Sequence, residues 1–93
     1  MNYLAMIDRL EAVLLNSKEA RVAWHYALTG LKKENINQMP QEQAEKRFVY
    51  YVRPLFIFHL YPSVYSSGKW IKLTFSDYLR GIEKALARKG GAV

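Results

Sequence analysis

Apolar residues return every three to four positions in four separate stretches, and that repeat confines the chain to amphipathic helices packed on one another. In residues 3–15, Tyr3, Ile7, Leu10 and Leu14 stack on one helix face, and Met6 and Val13 widen it. In residues 17–29 the face is Ala20, Ala23, Trp24, Ala27 and Leu28, where small alanines admit a close neighbour. Ala44, Phe48, Tyr51, Val52 and Leu55 form a third stripe, and Phe75, Tyr78, Leu79, Ile82, Ala85 and Leu86 a fourth. Short helices are marginal alone in water, so each stripe must be covered by the others. The expected fold is mainly α: a small single-domain helical bundle of about four helices spanning residues 1–93, with 90–93 as a loose tail.

Boundary residues sharpen this reading. Thr74 and Asp77 make a capping box with Asp in the place of Glu, and Leu73 and Tyr78 occupy the two positions of a hydrophobic staple. Gly90-Gly91 is expected to stop that last helix. Asn16, three residues before Glu19, resembles a capping start for the second helix, and Gly30 is expected to end it as a left-handed C′ residue. Leu31 to Met39 reads as a polar connector anchored by Ile36, and Pro40 suits the opening of the third helix. Arg53 precedes Pro54, so that helix is expected to end or kink there. Residues 55–61 form a short aromatic-rich apolar run, and 69–75 alternate, with Ile71, Leu73 and Phe75 on one side. Between them lies Ser66-Ser67-Gly68, which is turn chemistry, so one short β-hairpin around residues 55–75 is an expected addition to the bundle. The alternative keeps 55–61 as a buried helical segment.

The same inventory narrows function. A chain of 93 residues without cysteine excludes a disulfide scaffold and a thiolate metal site. His25 and His59 are the only imidazoles, no carboxylate stands at ligand spacing from them, and His59 reads as a hydrogen-bonded core residue. The five glycines have neither P-loop nor dinucleotide spacing. The expectation is therefore a protein that is not an enzyme, with no catalytic residue, metal, cofactor or small-molecule substrate. Asp8 and Arg9 interrupt what a secretory signal would need as an apolar core. The longest apolar stretch, Phe48 to Tyr61, is broken by Arg53, Pro54 and His59 and falls short of the about 20 residues a transmembrane helix needs. A cytoplasmic location is the expectation.

Charge supplies the positive signal. Residues 1–45 hold five Lys/Arg and six Asp/Glu, whereas 46–93 hold nine and two. Ten of the 13 aromatic residues lie between Phe48 and Tyr78 in the same basic half. Aromatic rings interleaved with cations are what single-stranded nucleic-acid platforms use, since any base can stack while cations track phosphates. Tyr65, Lys69, Trp70 and Lys72 are candidates on that ground, and Arg80, Lys84 and Arg88, spaced by four, form a basic helix face. Lys18, Arg21 and His25 form a secondary basic face on the second helix, which Lys32 would extend if Gly30 did not intervene. A helix-turn-helix centred on Gly30 is disfavoured, because Tyr26 stands where a small residue permits the tight crossing. The primary reading is a small basic regulatory protein that binds DNA or RNA through its C-terminal half. The alternative is a protein–protein interaction module, homodimer included, or an inhibitor of phage or mobile-element type, acting through an exposed aromatic and basic patch. A peripheral membrane binder ranks last, for want of a cationic helix with a bulky apolar face outside the core.

Overall fold

The computed structural model describes residues 1–14 and 17–91. Five α-helices follow one another: α1 (Tyr3–Arg9), α2 (Lys18–Lys33), α3 (Gln41–Leu55), α4 (Pro62–Ser66) and α5 (Phe75–Gly91). Helical turns of other pitch join them. Two are 3₁₀ turns at Leu10–Val13 and Ile36–Gln38, one is a π turn at Phe56–Leu60, and another 3₁₀ turn covers Lys69–Lys72. There is no strand among the described residues.

The apolar stripes meet in one core. Tyr3, Ile7, Leu10 and Leu14 are buried, as are Ala20, Ala27, Leu28 and Leu31 of α2, Ala44, Phe48, Val52 and Leu55 of α3, and Tyr78, Ile82 and Ala85 of α5. The rings of Tyr3, Phe48 and Phe75 join α1, α3 and α5, with centroids 5.5 Å apart for Tyr3–Phe48 and for Phe48–Phe75. Polar groups at the seams are satisfied. Trp24 Nε1 donates to the Ile7 carbonyl at 2.7 Å, and Arg53 Nε donates to the hydroxyl of buried Tyr78 at 3.2 Å. Ile36 anchors the connector in the core, and Asn37 Oδ1 beside it accepts from Tyr3 N–H at 3.0 Å. The capping box forms as expected: Asp77 N–H donates to Thr74 Oγ1, and Thr74 N–H donates to Asp77 Oδ2 at 2.8 Å.

Four helix boundaries differ from expectation. The α2 helix does not end at Gly30. It runs on to Lys33 and closes with Asn35 in the left-handed region (φ 57°), a conformation Asn tolerates. Gly30 is needed for contact instead: a Cβ there would lie 2.3 Å from Tyr51 Cε1 of α3. At the other end of α2, Ser17 is the N-cap, its Oγ accepting from Ala20 N–H at 3.1 Å, while Asn16 lies outside the described residues.

Pro54 does not end α3 either. The N–H it lacks would have served the Tyr50 carbonyl on the exposed side of the helix, and the chain stays helical through Leu55. The ladder then widens to π pitch, with Tyr61 N–H donating to the Phe56 carbonyl five residues back at 2.8 Å.

That continuation removes the expected hairpin around residues 55–75. With 55–60 spent as helix, the alternating run 69–75 has no strand to pair with. It forms a 3₁₀ turn after Gly68 (φ 77°), one extended residue at Leu73, and the start of α5. The last helix runs through Gly91, and residues 92–93 of the expected tail lie outside the described residues.

Candidate functional site

Unbroken passage through Gly30 changes the meaning of the α2 cations. At 100° per residue, Lys18, Arg21, His25 and Lys32 fall within an arc of about 60°, and they span about 21 Å of helix axis. All four are exposed, as is neighbouring Lys33. None of the five takes part in an ion pair among the described residues.

Beside this stripe, α2 and α3 enclose an open cleft of about 580 Å³ lined by Val22, His25, Tyr26, Thr29, Gly30, Lys33, Arg47, Tyr50 and Tyr51. Its floor is the Tyr51 ring seated on Gly30. Tyr26 meets that ring at 5.7 Å and 52°, and Tyr50 meets it edge-on at 5.1 Å and 88°. Val22, Tyr26 and Tyr50 stay 63%, 48% and 56% exposed, an apolar surface that the core does not claim.

A charged clamp fixes the α3 wall. Arg47 Nε donates to Glu34 Oε1 at 2.8 Å, Arg47 Nη2 and the Tyr51 hydroxyl donate to Glu34 Oε2, and the guanidinium lies 4.9 Å from the Tyr50 ring centroid. Hydrogen bonds from Arg47 and then Tyr51 hold the Glu34 carboxyl below its ordinary range. The same bonding to Glu34, followed by desolvation, pushes the Tyr51 phenol up. Glu34 is thus neutralised locally and does not oppose the stripe.

The C-terminal candidates are placed differently. Tyr65 and Trp70 stack on each other (6.1 Å, 29°), Phe58 closes on Tyr65 at 4.7 Å, and Arg53 sits 5.7 Å from the Trp70 ring centroid. Arg80 pairs with Asp77 at 3.6 Å. Arg88 donates to the Tyr61 hydroxyl at 3.1 Å and lies over the Tyr61 ring. Lys84 lines a small notch with Arg80, Val64 and Leu73, so this face is brought near the 61–73 segment. Lys69, Lys72 and Lys84 are exposed and have no carboxylate partner among the described residues.

His59, expected as a hydrogen-bonded core residue, is half-buried and makes no side-chain hydrogen bond among the described residues. No cluster of three or more metal-ligating side chains occurs among the described residues. Nor is any helix among them long and apolar enough to cross a membrane. The cleft between α2 and α3 was missed in the sequence because its two walls lie some 20 to 25 residues apart; the spacing of Arg47, Tyr50 and Tyr51 on one helix face was its one local trace. No protein-family model matches the chain, and neither a curated protein nor a solved structure shows detectable similarity to it.

Proposed function

We propose that this protein is a non-enzymatic nucleic-acid-binding module whose working face is the solvent side of α2. The observation that carries the reading is the alignment of Lys18, Arg21 and Lys32 on one face of α2, with His25 among them and no carboxylate in pairing distance among the described residues. Unpaired cations in a row recover free energy by displacing the counterions condensed on a phosphate backbone, whereas cations already paired to carboxylates must first give up that partner. The excess of 14 Lys+Arg over eight Asp+Glu supports the same reading by steering a polyanion to the surface. Lys69, Lys72 and Lys84 supply a second, weaker set of contacts.

Fluorescence anisotropy with labelled oligonucleotides from about 50 to 200 mM salt tests it. The K18A/R21A/K32A variant is expected to bind more weakly and to lose about three from the slope of log K against log salt, roughly one per phosphate contact. An unchanged slope removes α2 from the interface.

One observation favours a second reading, a protein-interaction module. Phe58, Tyr65 and Ile71 are each exposed within the 56–72 segment, and Ile71 is 71% exposed. Apolar and aromatic surface of this kind marks protein-binding patches. On that reading, binding to a partner is insensitive to salt and is lost in I71D, while the α2 variant binds normally.

A further inference from the structure

We infer that the cleft between α2 and α3 receives an unstacked nucleobase, which makes the target a single strand and not a duplex. This inference rests on the proposed role of the α2 stripe and adds the chemistry beside it. A base needs an apolar slot with ring surface, and its phosphate needs a cation one nucleotide away. The cleft meets both needs: its α2 wall carries His25, Tyr26 and Lys33, and Arg21 and Lys32 stand on the same helix just outside. Its volume of about 580 Å³ falls within the range of about 300–1,000 Å³ typical of small-ligand sites.

The rings are available for this use. Tyr26 and Tyr50 are about half exposed, and Arg47 covers one side of Tyr50 while Glu34 holds that guanidinium in place. The wall is therefore set before a ligand arrives, and little ordering entropy is lost on binding. The Tyr65–Trp70 pair, whose rings stack on each other with Phe58 tilted against Tyr65, lies outside this cleft. Stacking on tyrosine tolerates any base, so the site discriminates strandedness more than sequence. Bases held in a duplex cannot enter, and a duplex is left with the phosphate contacts alone.

The experiment compares three probes of equal length and label at one salt concentration: a single-stranded oligonucleotide, an abasic strand with the same phosphates, and a duplex. Wild type is expected to bind the base-bearing strand about five- to a hundred-fold more tightly than the abasic strand, the range that one stacked base accounts for. In Y26A/Y50A that advantage disappears, while binding to the abasic strand is unchanged. Both residues lie at the surface, and circular dichroism verifies the fold of the variant. Equal, salt-sensitive binding of base-bearing and abasic strands by wild type overturns the cleft inference and leaves the polyanion reading standing. An advantage that survives in Y26A/Y50A overturns the location. Failure of wild type to bind any probe at low salt overturns both.

Discussion

Two regions of this molecule are built from the same materials and end in opposite states. In each, an aromatic ring is seated on a glycine inside a helix, with cations and tyrosines around it. At Gly30 the seated ring is Tyr51, half-buried, with its hydroxyl turned outward to Glu34. At Gly81 it is Phe56, only 3% exposed, and the Tyr61 hydroxyl bonds the Gly81 carbonyl at 2.6 Å. Around Gly81 most groups are spent on each other: Arg88 on Tyr61, Arg80 on Asp77, Arg53 on Tyr78 and Trp70. Around Gly30 one clamp, Glu34–Arg47–Tyr51, holds the wall, and the α2 cations are left to solvent. Local charge density is greater in the C-terminal half, where Arg53, Arg80 and Arg88 are engaged by protein groups and Lys69, Lys72 and Lys84 are not. On α2 the cations without a partner share one helix face, and that alignment is the difference between the two regions.

The comparison is sharpest at the glycines. Gly81→Ala would place a Cβ 2.5 Å from Phe56 Cζ, and the buried ring has nowhere to go. We expect a loss of about 1–3 kcal/mol in urea unfolding, the usual cost of overpacking. A gain of about 1 kcal/mol, the ordinary helix preference of Ala over Gly, would break the account of this seat. Thr74→Ala, in the same region, removes the α5 cap and is expected to cost about 1 kcal/mol.

Gly30→Ala produces an equally close contact, 2.3 Å, but with a half-buried ring beside an open cleft instead of a fully buried one. Its net effect is expected to stay within about 1 kcal/mol, because the helix gain offsets the displacement. In a Tyr51→Ala background the same change should stabilise, and the coupling between the two positions is read from the double-mutant cycle.

The smallest expected effect is on acid stability. The Glu34 carboxyl is lowered by its bonds from Arg47 and Tyr51, and the Asp77 carboxyl by backbone and side-chain bonds from Thr74. A carboxyl lowered in the folded state contributes stability that is complete above its unfolded value, near pH 4, and is lost as pH falls through the folded value. Stability should therefore be flat near neutrality and decline below about pH 4. Glu34→Gln and Asp77→Asn should each flatten that decline, and a decline unaltered by either change would separate these carboxyls from it. Both groups are partly exposed, so salt weakens the effect in part.

Much of the bundle is legible along the chain. The four residues of the first stripe, Tyr3, Ile7, Leu10 and Leu14, are all buried, and the Thr74–Asp77 box closes as its spacing requires. These features depend on neighbours within a turn or two. Gly30 does not: its place inside α2 depends on a ring 21 positions away, so local rules assign it to a helix end. Pro54 misleads in the same direction, because the lost hydrogen bond falls on the exposed side and a π turn absorbs the change of pitch. The period-two pattern at Ile71, Leu73 and Phe75 arises across a 3₁₀ turn, an extended residue and a helix start, and not from a strand. Availability of charge is least legible of all. Arg80 and Lys84 look alike in sequence, and only one of them is paired.

Backbone amide shift mapping with a short single-stranded oligonucleotide locates the binding face. The largest perturbations on titration are expected on Lys18–Lys33 and on Tyr50 and Tyr51, with smaller ones near Lys69, Lys72 and Lys84. Perturbations concentrated on Tyr65–Lys72 and Arg80–Arg88, with α2 unmoved, would contradict that placement and return the interface to the C-terminal half.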